Sequence, residues 1–345
     1  MAIRLGILGA SGKVGSELIR LLENWSQDEL PLACPPKLFG SSKSKGKQLQ
    51  FRGQQVTVLD SLIENLNDLD LIISCANGEV SEKVVPEALK RGCKLVIDTD
   101  SYYRMDANVP LVVVGVNDED IDWHKGIIAG PNCSTAQLVL PLKVLHEGWG
   151  LRRVVVSTYQ SVSGAGKAAM DQLVEEVKET SKNYDITSSV PLKLKSREQF
   201  AFNVIPKISK FLDNGYTKEE WKVIVETRKM LHVPDLAITC TAVRVPVLVG
   251  HSESVNLQLL SAFKLDEVLK VLRSHDGIQL WDEAESFPVP FDAAGTNPVH
   301  VGRVRIDESA PNALNMWVVA DNLLIGAALN ALRIAATAYK RGKIS

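Results

Sequence analysis

The sequence predicts an α/β protein, a doubly wound parallel sheet with an α+β region inserted before the chain's end. Three observations carry that prediction. Through the first third, short and wholly apolar runs alternate with amphipathic helical segments. Strands of that kind belong to sheets buried on both faces by crossover helices. After Cys133 the apolar runs grow longer and partly alternate, which suits a mixed sheet with one exposed face. An Ala-rich apolar segment then closes the chain, and such a helix could return to cover the first region.

The elements follow in order. IRLGIL from Ile3 reads as a strand ending at Gly9, and Lys13 to Glu23 places Val14, Leu18, Leu21 and Leu22 on one helical face. KLFG is the candidate second strand, and LIISC from Leu71 is another. Val80 to Arg91 is a helix stopped by Gly92. LVID from Leu95, LVVVG from Leu111 and IIAG from Ile127 read as further strands, and Cys133 to His146 as one helix. VVVSTY from Val154, AITCTAVRVPV from Ala237, VNLQLL from Val255 and LNMWVVADN from Leu314 supply the second sheet. Lys182 to Glu198 is polar and reads as a loop or excursion. The expected division is 1–131 plus 322–345 for a nucleotide-binding domain, and 132–321 for a catalytic and dimerisation domain. A length of 345 residues agrees with two domains.

Composition narrows the function. With 39 Lys and Arg against 41 Asp and Glu, and no long basic block, sequence-independent nucleic-acid binding is not expected. Nothing electrostatic suggests a membrane surface, and no apolar run has the length of a span. The five cysteines are widely spaced and form no CxxC pair, so neither a metal cluster nor a disulfide framework is expected. That favours a reducing, cytoplasmic setting. MAIRLGILGASG turns into a Gly-rich loop too soon to read as a signal peptide.

That loop carries the first chemistry. Gly9, Gly12 and Gly15 space GASGKVG as G-x-x-G-x-x-G between a strand and a helix. Missing side chains let backbone approach a pyrophosphate, and the helix start offers free N–H donors. Gly9, Ala10, Ser11, Gly12, Lys13, Val14 and Gly15 are therefore candidate dinucleotide contacts; a tight packing turn is the alternative. After KLFG, an acid would suit the ribose hydroxyl of NAD. SSKSKGK instead offers Ser41, Ser42, Lys43, Ser44, Lys45 and Lys47, which suit a 2′-phosphate and hence NADP.

Cys133, in GPNCSTAQLVLPL, stands at a predicted helix start. A helix N-terminus lowers a thiol's pKa, and its amides can form an oxyanion hole. Cys75 and Cys240 fall in apolar runs and read as inert core, and Cys34 and Cys93 also lack a helix start. His251 follows an apolar run and a glycine, a position suited to a proton-transfer partner. Arg244, inside an apolar strand, needs an anion: a substrate carboxylate or a buried ion pair.

Taken together these segments resemble aspartate-semialdehyde dehydrogenase along nearly the whole chain. GASGKVGSELIRLL is similar to the family's nucleotide loop, and GPNCSTAQ to its nucleophile segment. VVVSTYQSVSGAGKAAMDQL, AFNVIPKI, YTKEEWKVIVETRKML, CTAVRVPVLVGHSES and DNLLIGAALNALRIA follow in the family's order. The resemblance implies a Rossmann domain for NADP with an inserted substrate and dimerisation domain. It implies Cys133 as nucleophile, His251 as general acid/base, and Gln160 as the residue orienting the acyl intermediate. Arg244 would take the substrate α-carboxylate and Glu219 the α-amino group. Lys222, with Arg104 and Asn132, would bind phosphate. Ser163, Gly164 and Asn322 would lie with the cofactor. No metal is implied.

The implied reaction is reductive dephosphorylation of L-4-aspartyl phosphate to L-aspartate 4-semialdehyde and inorganic phosphate, by a homodimer or homotetramer. Three segments depart from the family pattern. DTDSYYRM stands for D-x-S-S-A-F/W-R-M, GVN for E-V-N, and GPNCS for N-P-N-C-S, so Gly130 replaces an Asn. They bear on the phosphate pocket. The alternatives are N-acetyl-γ-glutamyl-phosphate reductase, an acyl-CoA reductase, and a non-catalytic relative that keeps the fold.

Overall fold

The structure, a computed structural model, describes residues 2–61, 63–183 and 194–344. It divides into two units: Met1–Leu140 with Glu226–Val233 and Leu323–Ser345, and Pro141–Val225 with Pro234–Asn322. The first change of unit thus falls inside the helix that Cys133 opens, and Cys133 itself lies in the first unit.

The first unit is built on a seven-stranded sheet. Its strands are β1 (Leu5–Leu8), β2 (Lys37–Gly40), β3 (Gln48–Phe51), β4 (Gln54–Asp60), β5 (Leu71–Ser74), β6 (Leu95–Asp98) and β7 (Ile127–Ala129). Their order is β3-β4-β2-β1-β5-β6-β7, and every pairing is parallel except β3 with β4. All four residues of β1, β5 and β6 are buried, which is why these strands read as unbroken apolar runs. The chain leaves β1 toward β2 on one side and later returns to β5 on the other. Ligands of open α/β sheets bind at such a reversal, beyond the carboxyl ends of the strands.

Helix α1 (Lys13–Glu23) has the expected bounds, with Leu18, Ile19 and Leu22 buried. Helix α2 (Gly78–Lys90) starts earlier than the apolar pattern indicates, because the Asn77 side chain accepts from the Val80 amide and caps it. LVVVG is not a strand. Leu111 makes one isolated bridge to Ala129. Beyond it, side-chain amides take the place of a ladder. Asn117 Oδ1 accepts from Val113 N at 3.1 Å, and Asn330 Oδ1 from Val114 N at 3.1 Å. Their Nδ2 groups donate to the carbonyls of Leu111 and Val112, each at 2.8 Å.

Helix α3 (Cys133–Trp149) runs one turn beyond the expected end, through Pro141. The second unit then holds a six-stranded sheet. Strand β8 (Leu151–Gln160) is followed by helices α4 (Lys167–Asn183) and α5 (Lys218–Met230), whose last turns, from Glu226, belong to the first unit. Of the expected polar excursion, residues 184–193 lie outside the described residues, and 194–198 are irregular. Next come β9 (Ala237–Arg244), β10 (His251–Leu259), α6 (Leu265–Arg273), β11 (Ile278–Trp281), α7 (Pro290–Ala293), β12 (Val299–Ile306) and β13 (Ala313–Ala320). The order is β11-β12-β13-β10-β8-β9, a mixed sheet as expected. Its longer strands alternate buried and open positions, as in β8 and β10.

The closing segment returns to the first unit. A π-helical turn, Leu324–Ala328, leads into α8 (Leu329–Lys340). Ala331, Leu332, Ile334, Ala335 and Ala338 join the core formed by Leu5, Ile7, Leu18 and Leu95. Among the described residues no helix is long and apolar enough to cross a membrane, and no cluster of His, Cys, Asp and Glu suits a metal.

Candidate active site

In the first unit the nucleotide loop is built by close backbone approach. Gly9 has φ +73°, and a Cβ there would lie 2.6 Å from the Cys75 carbonyl oxygen at the end of β5. At Gly15 a Cβ would lie 2.3 Å from the Gly9 carbonyl oxygen, so only glycine lets α1 start this close to the loop. Gly12 occupies the cap position of α1 without a side chain. The first-turn amides, including those of Lys13 and Val14, are therefore uncapped, the arrangement that receives a pyrophosphate.

The serine–lysine loop adjoins it. Ala10 N donates to Phe39 O at 3.0 Å, and Ser11 Oγ to Ser44 Oγ at 2.8 Å. Ser44 is thereby buried, while Ser41, Ser42, Lys43, Lys45 and Lys47 are exposed, Lys45 with its ammonium 3.9 Å from Asp60. This divides the six candidates for a 2′-phosphate: Ser44 shapes the loop, and Ser41, Ser42, Lys43, Lys45 and Lys47 face solvent.

Cys133 is the first residue of α3, half-buried. Asn132 caps that helix, its Oδ1 accepting from Ser134 N at 2.9 Å and Thr135 N at 3.3 Å. Gly326, in the π-helical turn, packs directly on the cysteine. A Cβ there would sit 2.4 Å from Cys133 Cα. The other thiols have different settings. Burial pushes Cys75 and Cys93 up to about 12 and Cys240 upward as well, and Cys34 is exposed. Cys75 and Cys240 are the two thiols read as inert core, and their raised pKa values agree with that reading.

Arg104 is buried in the first unit beside an acid that spacing did not single out. Its Nη1 donates to Glu226 Oε1 at 3.0 Å, Nε to Asp100 O at 3.1 Å, and Nη2 to Thr99 O at 2.8 Å. The bulkier DSYYRM approach turns its tyrosines onto α2. Tyr102 donates to Glu82, and Tyr103 to the Ser81 carbonyl. A Cβ at Gly130 would meet nothing closer than 3.7 Å, so this departure leaves the local backbone unstrained.

In the second unit the candidates meet at one end of the sheet. Strands β8 and β9 are parallel with Gln160 opposite Arg244, while β10 runs antiparallel and opens with His251, opposite Ala320 of β13. The topology therefore brings the last residues of β8 and β9, the first of β10, and Asn322 just past β13 to the same edge. His251 is fully buried. Its Nδ1 accepts from the Ser161 backbone amide at 3.1 Å, which assigns the neutral ring's proton to Nε2. Burial first, and then the Arg244 cation, push its pKa down to about 3.

Arg244 Nη1 donates to the Ser161 carbonyl. Gln160 Nε2 reaches Thr158 Oγ1 at 3.2 Å and Glu219 Oε1 at 3.4 Å. The neighbouring Glu220 is spent on structure, accepting from Thr217 N at 2.6 Å and Ala242 N at 2.9 Å. Lys222 stands half-buried, three residues after Glu219 on α5. Asn322 Oδ1 accepts from Gly250 N at 3.1 Å and from the hydroxyls of Ser161 and Ser163. Because a backbone N–H fixes the oxygen, Nδ2 is the end that can donate outward. A Cβ at Gly164 would lie 3.3 Å from His251 Cε1 and Nε2 and 3.4 Å from Arg244 Nη1.

Two family models match this chain. One, described as semialdehyde dehydrogenase, NAD binding domain, covers residues 4–124, and the other, semialdehyde dehydrogenase, dimerisation domain, covers 142–325. The aspartate-semialdehyde dehydrogenase of Bacillus subtilis (strain 168) is 41% identical over 345 residues, 98% of each chain. The chain belongs to the aspartate-semialdehyde dehydrogenase family. Its fold matches the crystal structure of aspartate-semialdehyde dehydrogenase II from Vibrio cholerae, complexed with ASA. The TM-score is 0.91 at 38% identity, covering 99% of both chains. It also matches the Candida albicans aspartate-semialdehyde dehydrogenase with NADP, at TM-score 0.77 and 25% identity over 99% of this chain and 100% of that one. The family's NAD-binding domain falls in the first unit, and its dimerisation domain spans the sheet that carries Gln160, Arg244 and His251.

Sequence reasoning missed two residues that contact these candidates, Glu226 at Arg104 and Asn132, and Gly326 at Cys133. Glu226 looks like one more charge in ETRK, and Gly326 like a helix glycine. One signal was available for Glu226: it stands three residues after Val223 and four before Met230, both fully buried, on the apolar side of α5.

Proposed function

We propose that this chain catalyses the reductive dephosphorylation of L-4-aspartyl phosphate to L-aspartate 4-semialdehyde, through a thioester on Cys133. The observation that carries the reading is the placement of Cys133 as the first residue of α3, behind the Asn132 cap and against Gly326. The Cys133 thiolate attacks the acyl carbon and phosphate leaves, stabilised by Arg104, Lys222 and Asn132. Gln160 orients the acyl group, Arg244 pairs with the α-carboxylate in a bidentate fork, and Glu219 takes the α-amino group. His251 acts at Nε2, donating to the oxyanion and exchanging the proton as the thiohemiacetal collapses. Covalent catalysis of this kind splits one hard step into two easier ones.

NADP is the cofactor we assign. The fit rests on the cradle that a Cβ at Gly9 or Gly15 would fill, and on exposed Ser41, Ser42 and Lys43 beside it. Gly9, Ala10, Ser11, Gly12, Lys13, Val14 and Gly15 would hold its pyrophosphate. Ser163, Gly164 and Asn322 would lie along its nicotinamide end. Bound in its reduced form, NADPH, it would supply the hydride.

A second copy of this chain is the expected partner. The dimerisation domain carries Tyr159 and Trp317 side by side on its sheet, ring centroids 5.5 Å apart, with Tyr159 exposed. Five widely spaced cysteines with no CxxC pair suit a reducing, cytoplasmic setting.

The test follows absorbance at 340 nm with aspartate semialdehyde, inorganic phosphate and either NADP or NAD. Phosphate-dependent turnover with higher kcat/KM for NADP is expected. Cys133→Ala should abolish it while keeping NADP binding. Substantial residual turnover in that variant rules out the thioester, and turnover with N-acetylglutamate γ-semialdehyde and phosphate, or with an aldehyde and coenzyme A in place of phosphate, points instead to the sister reactions.

A further inference from the structure

Glu226 is a fully buried carboxylate whose two oxygens hold two different parts of the first unit. Oε1 accepts from Arg104 Nη1 at 3.0 Å, and Oε2 accepts from the backbone amide of Asn132 at 2.6 Å. Asn132 in turn caps α3 through Ser134 and Thr135, immediately around Cys133. One carboxylate thus links the guanidinium read as a phosphate ligand to the start of the nucleophile helix.

The next turn of α5 adds a second tie to the same loop. Lys229 Nζ donates to the carbonyls of Arg104 at 2.8 Å, Asp106 at 2.8 Å and Val109 at 2.9 Å. With Thr99 O and Asp100 O also on the guanidinium, the loop from Thr99 to Val109 is held from both sides. Three of the five N–H groups of Arg104 are engaged among the described residues, which leaves two for an anion.

We infer that Glu226 is a positioning residue for the anion site. It fixes the orientation of the Arg104 guanidinium, and it fixes the Asn132 amide in the same frame, so that the phosphate position and the Cys133 thiol keep a constant relation. The proposal rests on the reading of Arg104 as a phosphate ligand. A bridging carboxylate suits the task because each oxygen can accept from a separate donor. Glutamine cannot replace it: its one oxygen serves one donor, and its amide nitrogen faces the other.

The charge of Glu226 makes the test decisive. If the carboxylate were merely a neighbouring negative charge, removing it would strengthen phosphate binding at Arg104. Positioning predicts the opposite sign. Initial rates would be measured with the holoenzyme in the oxidative direction, varying inorganic phosphate at saturating semialdehyde and NADP, and then varying semialdehyde. For Glu226→Gln, KM for phosphate should rise roughly tenfold, the cost of a lost hydrogen bond to a charged group, while KM for semialdehyde changes less than twofold. Glu226→Asp keeps both oxygens on a shorter arm and should recover part of that loss. Should the Gln variant not fold, the Asp variant carries the same criterion.

An unchanged or lowered phosphate KM in the folded variants overturns the proposal. Arg104→Ala separates the layers. If it leaves phosphate KM unchanged, the reading of Arg104 fails. If it raises KM while the Glu226 variants do not, only the positioning role fails.

Discussion

In the first unit Cys133 and Arg104 sit on segments that leave the ends of parallel strands, whereas in the second Gln160, Arg244 and His251 are strand residues themselves. The first arrangement needs outside help to stay in place. Asn132, Glu226 and Lys229 provide it with hydrogen bonds, and Gly326 with an absence of side chain. The second borrows its precision from the ladder: register alone sets Gln160 opposite Arg244 and His251 opposite Ala320. Precision in the first unit should therefore be easy to break from a distance, and in the second hard to break except by changing the groups themselves.

The two glycines that pack against Cys133 and against His251 test this most directly. In Gly326→Ala, the new Cβ would overlap Cys133 Cα and Cβ, at 2.4 and 2.5 Å. Two backbone segments would have to separate, and a displacement of that size in a reacting atom costs on the order of a hundredfold in rate. We expect kcat to fall by about that factor with NADPH affinity within twofold of wild type, read by initial rates and by titration of NADPH fluorescence. A variant with wild-type kcat would show that the thiol tolerates movement, and the contrast between the units would lose its main support.

Gly164→Ala is the matched experiment in the second unit. Its Cβ would meet the edge of the His251 ring at 3.3 Å and the Arg244 guanidinium at 3.4 Å. That is tight but not an overlap, and Arg244 is a flexible side chain. A fall of only a few-fold in kcat/KM is expected. A loss as large as that of Gly326→Ala would mean that the ladder does not confer the tolerance argued here.

The same contrast explains what was legible in the sequence. Gly9, Gly12 and Gly15, Cys133 in GPNCST, and Arg244 with His251 could be singled out because each breaks a local pattern: glycine at a strand–helix junction, a polar start to an apolar helix, a charge in an apolar strand. The help supplied to the first unit could not. Glu226 meets partners 94 and 122 positions away, and no local rule encodes such a distance. LVVVG failed for a related reason. Its apolar composition suits a strand, but the Val113 and Val114 amides and the Leu111 and Val112 carbonyls are taken by Asn117 and Asn330, the latter 216 positions from Val114. Burial shows in composition, whereas the partners that satisfy a buried backbone do not.

Acid–base linkage gives the smallest but most finely resolved comparison, since Asp98 in the first unit and His251 in the second are both buried and displaced in the acid range, and the two act in opposite directions. In the first unit Asp98 closes β6 fully buried, its Oδ1 accepting from Ser81 Oγ at 2.8 Å, and burial pushes its pKa up to about 6. The native state therefore holds a proton between pH 3.8 and about 6 that the unfolded chain releases, and stability falls as pH rises through that window. In the second unit His251 is held neutral down to about 3. The unfolded chain binds a proton below 6.5 that the native state refuses, so stability falls as pH drops. Between about pH 4 and 6 the two slopes oppose each other and nearly cancel. Asp98→Asn keeps an acceptor for Ser81 and removes one slope, so its stability should climb with pH across that window relative to wild type. His251→Gln removes the other and should do the reverse. Each change is at most about 1.4 kcal/mol per pH unit, readable by urea unfolding at half-unit steps. If both variants tilt the profile the same way, one of the two burial arguments is wrong, and the activity profile of His251→Gln would identify which.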